Sequence, residues 1–381
     1  MTRKFRFHVL GVPHTKTTPD YNACAYTQKV WKFCKMMGAR GHEIIHYGVE
    51  GSCPPNATQV DVVPDEIYQK VYGTHPYRQK FFRYDTNDEC YRTFFKNAIE
   101  EINKCKQSHD FILPFWGNGV KPICDAIPDL ITVEPGIGYA GGFSNYRIYE
   151  SYAIMHAEMG INSVAYCNPK WYWRVIPNYF DLDEFKYNPF YGPRLQDPYI
   201  LFLGRVCEAK GIHIALEVCK RLGVKLKVAG QVSDEFANYE WPDFVELVGY
   251  ADIKKRTELM RNAAALILAS IYVEPFGGVQ IETLLSGTPT ITTDWGAFAE
   301  NNIHGVTGYR CRTLDDFLNA TMDCLDGKIK PEDCRKQGEK FSLDNIAPMY
   351  EKAFTDISHI YDGTNGWYCI EDDTLKRMGA I

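Results

Sequence analysis

Apolar and polar positions along the first half of the chain follow two alternating patterns. Short apolar runs of strand length are separated by longer stretches in which apolar residues recur every three or four positions, the spacing of a helix face. The runs predict strands at Phe5–Leu10, Gly41–Gly48, Asp110–Pro114 and Leu130–Val133, and helices at Thr27–Met37 and Asp88–Lys106. The proline-bearing segment 53–75 predicts a long loop with a short helix. Strands that alternate with helices indicate a parallel sheet covered on both faces.

The same pattern restarts after a proline- and tyrosine-rich stretch, residues 187–198. The second half predicts strands at Tyr199–Gly204, Lys225–Gly230, Val245–Gly249, Ala265–Ser270 and Pro289–Thr292, and helices at 211–222 and 313–325. We therefore expect two doubly wound α/β domains, residues 1–175 and 176–360, that face a cleft. A tail, residues 361–381, is expected to pack back on the first domain. Ligands of such sheets bind beyond the carboxyl ends of the strands.

Composition and charge place few limits on function. Of the 381 residues, 45% are hydrophobic and 24% are charged, which is ordinary for a soluble globular protein. No apolar run approaches the roughly 18 residues of a membrane span, and the N-terminus lacks the apolar stretch of a signal peptide. Thirteen scattered cysteines without a Cys-x-x-Cys pair favour free thiols, so we predict a cytoplasmic protein. The net charge is −6, yet the first 175 residues are mildly basic, which fits an anionic partner.

The segment Glu274–Glu282, with the sequence EPFGGVQIE, is the most informative motif of the chain. It follows an apolar run and precedes a stretch with helical spacing, so it predicts a strand, a glycine turn and a helix N-terminus. Free backbone N–H groups and the helix dipole make such a turn an anion site. The two flanking carboxylates would be repelled by a phosphate, and they are better explained as acceptors for the hydroxyls of a sugar or ribose.

Five blocks of the second half, in order and spacing, resemble the C-terminal domain of GT-B fold glycosyltransferases, in particular retaining family 4, the glycosyl transferases group 1. The blocks cover roughly residues 174 to 325 and begin at Ile176, Phe202, Val248, Glu274 and Gly287. The resemblance implies two Rossmann-like domains around an interdomain cleft. It also implies transfer of a sugar from a nucleotide-diphosphate sugar to an acceptor hydroxyl.

The resemblance implies a role for each matching residue. Arg205 and Lys210 would neutralise the departing diphosphate. Glu274 would hold the donor sugar, and Glu282 would hold the nucleotide ribose. Further donor-binding residues on the family pattern are Gly204, Gly249, Tyr250, Phe276, Gly277, Gly278 and Val279.

The resemblance implies no cofactor beyond the co-substrate, a UDP- or GDP-linked sugar such as UDP-glucose. Asp181-Leu182-Asp183 has the Asp-x-Asp form with which other glycosyltransferases hold a metal ion. It lies in the linker motif, however, where the aspartate of the family is structural. The ten histidines also lack ligand spacing, so we predict no metal site.

The first half departs from the family, whose N-terminal domain receives the acceptor. The segment Asp20–Ala25 stands where relatives often carry a Gly-Gly pair, and Glu134 stands where many carry a histidine. Glu134 would orient the acceptor hydroxyl or stabilise an oxocarbenium ion. The alternative is a structural carboxylate that accepts backbone hydrogen bonds. His14 and His156 are further candidates on the acceptor side.

Region 68–96 interleaves aromatic and cationic residues, a pattern that can bind nucleic acid or sugar rings. The more common outcome is that the aromatics form core and the cations face solvent. The expected acceptor is a glycan or a small molecule. Three alternatives stay open: a phage-type DNA glycosyltransferase that acts on hydroxymethylated bases, a non-catalytic nucleotide-sugar binding protein, and a GT-B epimerase. The sequence leaves the oligomeric state undetermined.

Overall fold

The computed structural model describes residues 3–22, 24–161, 170–190 and 195–363. Most of the predicted tail, residues 364–381, lies outside the described residues. The same holds for Ala23 of the segment that replaces the Gly-Gly pair and for residues 191–194 of the interdomain stretch.

The first sheet contains seven parallel strands in the order β3-β2-β1-β4-β5-β6-β7. Its strands are β1 (Arg6–Leu10), β2 (Glu43–Val49), β3 (Thr58–Val63), β4 (Phe111–Pro114), β5 (Ile131–Ile137), β6 (Tyr146–Tyr149) and β7 (Arg174–Val175). The helices connected to it are α1 (Ala25–Ala39), α2 (Asp65–Tyr72), α3 (Glu89–Cys105), α4 (Lys121–Ala126) and α5 (Tyr152–Ile161). Capping explains one helix start well, because the Asp88 carboxylate accepts from the Tyr91 amide at the N-terminus of α3.

Two predictions for the first domain are wrong in detail. The segment predicted as a long loop contains β3 as well as α2. This outermost strand buries only Val62 and Val63, so it lacks the apolar run that marks a central strand. The second error concerns β5, which was predicted to end at Val133 but continues through Pro135 and Gly136 to Ile137. The register with β6 shifts between Glu134 and Ile137, and this bulge accommodates the two residues.

The second sheet contains six parallel strands in the order β10-β9-β8-β11-β12-β13. Its strands are β8 (Ile200–Leu203), β9 (Leu226–Ala229), β10 (Val245–Gly249), β11 (Ala265–Leu268), β12 (Thr290–Thr293) and β13 (Gly308–Cys311). The remaining helices are α6 (Ile212–Leu222), α7 (Ile253–Asn262), α8 (Gly278–Leu285), α9 (Phe298–Asn301), α10 (Leu314–Leu325), α11 (Pro331–Glu339) and α12 (Leu343–Gly363). All residues of β8 and β11 are buried. The predicted doubly wound α/β fold is therefore confirmed.

The last helix returns to the first domain earlier than predicted. The tail was expected to begin at residue 361, but α12 already packs on the first sheet along its buried face. The Phe354 ring lies 4.6 Å from the Phe7 ring, and Arg40 donates to both carboxylate oxygens of Glu351 at 2.8 and 2.7 Å. The two chain crossings between the domains also lie side by side, since Phe180 and Phe341 are joined by a 2.9 Å backbone hydrogen bond.

Candidate active site

A cavity of about 300 Å³ lies between the two domains. It faces the carboxyl ends of the strands of the second sheet, the position at which doubly wound sheets bind ligands. The N-terminal domain contributes the first turns of α1, and the second domain contributes the loops after β8 and β9 and the N-termini of α7 and α8. The lining residues include Asn22, Gln28, Lys32, Gly204, Arg205, Gly230, Gln231, Tyr250, Arg256, Gly278, Val279 and Glu282.

The glycine turn before α8 has the predicted strand-turn-helix geometry. Gly277 adopts a left-handed conformation with φ of 77°, and an added Cβ would lie 2.4 Å from the Phe298 ring, so only glycine fits there. Gly277 has no side chain with which to cap the amides of the first turn, and Gly278 and Val279 line the cavity. The helix N-terminus therefore presents an anion site to the cleft. The side chain of Phe276 is buried in the core, where it packs against Phe180 and Phe341.

Glu274 and Lys210 are brought together as a pair. Lys210 closes a short 3₁₀ turn, Glu208–Lys210, and its Nζ lies 2.7 Å from Oε2 of the buried Glu274 carboxylate. The same oxygen accepts from the Ser270 and Tyr272 hydroxyls, both at 2.9 Å. Burial, with the neighbouring carboxylate, raises the pKa of Tyr272 well above its usual range, so the phenol remains a donor. The pair is thus held in a fixed position beside the glycine turn.

Arg205 also lines the cavity, on the loop after β8. Its side chain is exposed, and its guanidinium carbon lies 5.5 Å from the ring centroid of Phe81, a residue of the first domain. The neighbouring Gly230 permits the close approach of two loops, because an added Cβ would lie 1.8 Å from the Gly204 carbonyl oxygen. The second domain therefore brings Arg205 to the same cleft as the anion-binding helix end, whereas Lys210 contacts Glu274, three residues before the glycine turn, and does not line the cavity.

Sequence reasoning missed Arg256, the partner of Glu282. Arg256 lies on α7 and forms an ion pair with Glu282 of α8. Burial lowers the pKa of Arg256 from its usual value, although Glu184 and Tyr250 oppose this shift. A second pair, Lys32 to Glu184 at 3.1 Å, lines the same cavity. The spacing along α7 carries no signal for Arg256, because its partner lies on another helix.

Tyr250 bridges the two domains. Its hydroxyl hydrogen-bonds the side-chain oxygen of Asn22, and the guanidinium of Arg78 lies 6.0 Å from its ring centroid. Both partners belong to the N-terminal domain, so Tyr250, one of the predicted donor-binding residues, connects the two domains at the cavity. Gly249 precedes it in a left-handed conformation with φ of 74°.

The domains also meet beside the glycine turn. The Ser151 hydroxyl donates to the Pro275 carbonyl at 2.5 Å. Glu300, on α9, accepts from the Tyr152 and Ala153 amides at 3.0 and 2.7 Å. A carboxylate of the second domain therefore caps helix α5 of the first domain.

His14 lies in an aromatic cluster of the first domain and is almost fully buried. Its Nδ1 lies 2.8 Å from the Tyr91 hydroxyl, whose oxygen accepts from Trp116 Nε1 at 2.9 Å. Burial lowers the pKa of His14 to about 3, so the imidazole is neutral near neutral pH. One of its ring nitrogens is engaged by Tyr91, and the ring is enclosed in the core of the first domain.

The other two candidates of the first domain differ in exposure. Glu134 lies inside β5, not in a loop, and is fully buried. One of its oxygens accepts from the Phe143 and Ser144 amides, both at 2.8 Å, and the other accepts from the Tyr139 hydroxyl at 2.9 Å. This geometry matches the alternative in which Glu134 is a structural carboxylate that accepts backbone hydrogen bonds. His156 is exposed on α5 near the Tyr152 ring.

The aromatic and cationic residues of region 68–96 are divided between two positions. Tyr68, Tyr72 and Phe94 are buried in the core under α2 and α3. Between these helices, Phe82 and Tyr84 still pack on His14 of the first domain, whereas Phe81 meets Arg205 of the second domain. The aromatic and cationic residues therefore do not form one continuous exposed surface for binding nucleic acid.

Two further features concern metal ions and membranes. Asp181 forms an ion pair with Lys35 and accepts from the Asp183 amide at 3.3 Å. Across the ranges described above, no three His, Cys, Asp or Glu side chains come together as a potential metal site. Within the same ranges, none of the helices is long and apolar enough to span a bilayer.

Comparisons with known proteins bear on the fold. Residues 183–341 match the family model of the glycosyl transferases group 1. A sucrose-phosphate synthase from Thermosynechococcus elongatus superposes with a TM-score of 0.69 at 15% identity, over 93% of this chain and 99% of that one. The fold is that of the GT-B glycosyltransferases.

Two other GT-B structures match over similar lengths. AviGT4, a glycosyltransferase of avilamycin A biosynthesis, has a TM-score of 0.64 at 18% identity over 93% of this chain and 98% of that one. Anabaena HepE, solved with UDP and glucose, has a TM-score of 0.64 at 14% identity over 92% of this chain and 99% of that one. The expected resemblance to the glycosyl transferases group 1 is confirmed for the second domain, whereas the assignment to retaining family 4 stays a prediction.

Curated relatives match only part of this GT-B chain. The glycogen synthase of Mycobacterium tuberculosis is 32% identical over 134 residues, which cover 32% of this chain and 32% of that protein. The lipopolysaccharide 1,2-N-acetylglucosaminetransferase of Salmonella typhimurium is 25% identical over 209 residues, 47% of this chain and 55% of that protein. The chain thus spans between a third and about half of the length of these relatives.

Proposed function

We propose that this protein is a glycosyltransferase that moves a sugar from a nucleotide-diphosphate sugar to an acceptor hydroxyl. The observation that carries this proposal is the Lys210–Glu274 pair, held at 2.7 Å beside the open N-terminus of α8. Next to this pair, the cleft combines a cation, Arg205, a carboxylate, Glu282, and an anion-binding helix end. These are the groups that a sugar bearing a diphosphate leaving group requires.

The reaction breaks the bond between the anomeric carbon and the oxygen of the diphosphate. Negative charge develops on the leaving diphosphate, where Lys210, Arg205 and the amides of Gly278 and Val279 stabilise it. The acceptor oxygen forms the new bond to the anomeric carbon and passes its proton to an oxygen of the departing diphosphate. Retention of the anomeric configuration belongs to the proposal on the basis of the family resemblance.

The donor side of the proposal assigns two carboxylates. Glu274 accepts hydrogen bonds from the sugar hydroxyls, and Glu282, positioned by Arg256, accepts from the ribose hydroxyls. A UDP- or GDP-linked sugar fits this arrangement. The solved complex of Anabaena HepE with UDP-glucose supports a UDP-linked hexose as the first donor to test.

The acceptor side of the proposal is a glycan or a small molecule. Glu134 is left out of the catalytic set because both of its oxygens are engaged within the first domain. DNA as the acceptor gains no support, because the aromatic residues of region 68–96 are divided between the core and the domain contact. His156 remains the exposed candidate on this side.

The proposal is tested first by thermal shift with a panel of UDP- and GDP-linked hexoses and N-acetylhexosamines. A true donor stabilises the folded state by mass action. Release of the nucleoside diphosphate is then measured with and without candidate acceptors. Arg205→Ala is expected to abolish most of this release without loss of fold, whereas Arg221→Ala, an exposed arginine of α6, serves as the matched control.

The outcomes separate the alternatives. Donor binding without hydrolysis or transfer would indicate a non-catalytic binding protein. Release by Arg205→Ala at the rate of the unaltered protein would contradict the assigned role of Arg205. Salt-sensitive binding of duplex DNA would favour the alternative that the protein is a DNA glycosyltransferase.

A further inference from the structure

The order of the strands marks one position at the carboxyl edge of each sheet. In the first sheet, the chain passes from β1 to β2 and β3 on one side and then continues with β4 on the other side, so the strand order switches between β1 and β4. In the second sheet the switch lies between β8 and β11, the strands that Arg205 and Glu274 follow. Doubly wound sheets bind ligands in the crevice at such a switch point. The first sheet therefore has a candidate binding position of its own.

Aromatic side chains surround the switch point of the first sheet. His14 follows β1 and Trp116 follows β4, and their rings lie 5.0 Å apart, edge to face. Trp116 makes similar contacts with Tyr26 of α1, at 4.8 Å, and with Tyr84, at 5.0 Å. Tyr26 in turn lies 6.1 Å from Tyr139, at the end of β5. We call Tyr26, Tyr84, Trp116 and Tyr139 the aromatic platform.

The turn that follows Trp116 is shaped to hold the platform. Gly117 has a φ of 54°, and an added Cβ there would lie 2.5 Å from the Tyr139 ring. An added Cβ on Gly119 would lie 2.1 Å from the Trp116 ring. The Tyr139 hydroxyl also donates to the buried Glu134 carboxylate at 2.9 Å. Two rings of the platform are thus fixed in place before any ligand enters.

Tyr84 offers the platform's exposed surface. Its side chain is 48% exposed, although its ring stacks on the buried His14 ring at a centroid distance of 4.8 Å and an angle of 5°. Because His14 covers one face of the ring, a ligand can stack only on the opposite face. Within the part of the chain that the structure describes, the hydroxyls of Tyr84 and Tyr26 make no hydrogen bond. Both hydroxyls are therefore available to a ligand.

The platform adjoins the donor cleft. Burial raises the pKa of Tyr26, and the neighbouring Cys24 and Tyr84 add to this shift, whereas the nearby positive charge of Arg205 opposes it. The Arg205 guanidinium also lies 5.5 Å from the ring centroid of Phe81, three positions before Tyr84. Arg205 itself lines the donor cavity. A molecule on the platform would therefore lie beside the residue assigned to the departing diphosphate, which is where an acceptor hydroxyl must approach.

An aromatic face bordered by neutral hydroxyls is complementary to a sugar ring. The C–H groups on one face of a pyranose are apolar and pack on an aromatic ring, whereas the hydroxyls at its edge need hydrogen-bond partners. The Tyr84 ring supplies the first contact, and the free hydroxyls of Tyr26 and Tyr84 supply the second. A phenol would use only the ring face, and a short aliphatic alcohol would use only the hydroxyls.

We propose that the aromatic platform binds a pyranose ring of the acceptor, which stacks on Tyr84 and hydrogen-bonds to Tyr26. This inference rests on the proposed function, because it requires an acceptor that receives the sugar. It selects the glycan from the two acceptor classes named there. It also gives a role to an exposed aromatic residue of region 68–96.

The test uses the donor that the thermal-shift panel selects and three groups of acceptor. The first group comprises the methyl pyranosides of glucose, galactose, mannose and N-acetylglucosamine, and the other two are phenol and n-butanol. The signal is release of nucleoside diphosphate above the rate without acceptor. At least one pyranoside is expected to stimulate release, whereas phenol and n-butanol are expected to leave it unchanged.

The stimulating pyranoside is then used with variants of the platform. Tyr84→Ala is expected to raise the acceptor KM about tenfold, because a stacking contact and its buried apolar area are lost. Tyr84→Phe keeps the ring and should retain most of the affinity. Tyr26→Phe should raise the acceptor KM about fivefold through the loss of a hydrogen bond. The donor KM and the release without acceptor should stay unchanged in all three variants.

Tyr361→Ala is the matched control, since Tyr361 is a 46% exposed tyrosine of α12. It should leave both KM values unchanged. An acceptor KM of Tyr84→Ala equal to that of this control would overturn the inference. A parallel rise of the donor KM and the acceptor KM would do the same, because it would show a general effect on the cleft.

The acceptor panel separates this inference from the proposed function. Stimulation by phenol or n-butanol without stimulation by a pyranoside would overturn the inference and leave the proposed function intact. Donor cleavage that no acceptor of the panel stimulates would also overturn the inference alone. Failure of the unaltered protein to bind or cleave any donor would overturn both.

Discussion

The Lys210 ammonium lies 2.7 Å from the Glu274 carboxylate, and the same carboxylate oxygen accepts from two hydroxyls, those of Ser270 and Tyr272. Three side chains are thus fixed around a single carboxylate oxygen of Glu274 before any substrate enters. Electrostatic stabilisation is most effective when the groups that provide it need no reorganisation during the reaction. Lys210 meets this condition, because its partners hold it at the helix end where the diphosphate would lie.

Lys210→Ala is expected to lower kcat by about a hundredfold to a thousandfold, the loss found when one preorganised charge-stabilising donor is removed. Thermal stability should change little, because Lys210 is only partly buried. The measurement is steady-state release of nucleoside diphosphate, with the melting temperature measured in parallel. Lys225→Ala, on the opposite edge of the domain beside Glu246, is the control. A kcat within twofold of the control would remove Lys210 from the mechanism.

The Arg256–Glu282 pair leads to a prediction about stability and donor binding together. Arg256→Ala is expected to destabilise the protein by about 3 kcal/mol, because it leaves a mostly buried carboxylate without its partner. The KM for the donor should also rise, since Glu282 loses the group that orients it toward the ribose. Urea unfolding and donor kinetics provide the two measurements.

The control for this prediction is the double variant Arg256→Met with Glu282→Met. Replacing both charges by apolar groups of similar size is often nearly neutral for stability. The double variant should therefore recover much of the stability but none of the donor affinity. Recovery of both would show that Glu282 has no contact with the donor.

The pairs Lys210–Glu274 and Arg256–Glu282 show what the sequence could predict about the site. Glu274, Glu282 and the turn between them form one continuous segment, so their order along the chain already indicates the strand-turn-helix geometry. Arg256 is 26 positions before Glu282 on a different helix, and only the packing of α7 on α8 brings them together. Local patterns carry no information about such a tertiary contact.

For the fold as well, the sequence predicted the regular elements but not the irregular ones. The central strands are continuous apolar runs and were located within a few residues. The edge strand β3 is half polar because one side faces solvent, and β5 contains a Pro-Gly bulge, so both differ from the pattern of a buried strand. The burial of the Glu134 carboxylate follows from this bulge and from the loop that folds back to donate its amides.

Glu300 provides a test of how the domains are coupled. Its carboxylate caps α5 from the other domain, so Glu300→Ala is expected to cost about 1 kcal/mol of stability, the usual cost of a lost helix cap. The KM for the donor should rise as well, because α5 follows Ser151, which contacts the glycine turn. Glu332→Ala, which removes an exposed acid from the first turn of α11, is the control. Equal effects from the two variants would indicate that the interdomain cap is unimportant.

Acid sensitivity is expected from a buried histidine of the first domain. His46 is fully buried between Thr17 and Gln59, and burial lowers its pKa from 6.5 to about 4. Between these two pKa values the unfolded chain binds more protons than the folded one, so stability is lost as the pH falls from 6.5 toward 4. At pH 5 this single group should cost about 2 kcal/mol relative to pH 7.

The measurement is the difference in unfolding free energy between pH 7 and pH 5. His46→Gln should reduce this difference by about 2 kcal/mol, because the variant has no proton to take up at this position. His213→Gln, at an exposed position of α6, should leave it unchanged. An identical pH dependence in the His46 variant and the unaltered protein would contradict the prediction.

The loop between α2 and α3, residues 73–88, should become protected when a nucleotide binds. It carries three exposed trypsin sites, Arg78, Lys80 and Arg83, and Gln231 holds its backbone against the second domain. A nucleotide bound in the adjoining cavity would add contacts and slow the local opening of the loop, the step that permits cleavage. We therefore expect UDP or GDP to slow tryptic cleavage within residues 73–88, whereas Gln231→Ala should speed cleavage of the free protein. Cleavage at the exposed Lys328, between α10 and α11, gives the internal control. Equal slowing at all sites would point to global stabilisation instead, and no slowing in the loop would indicate that the nucleotide binds without contact to it.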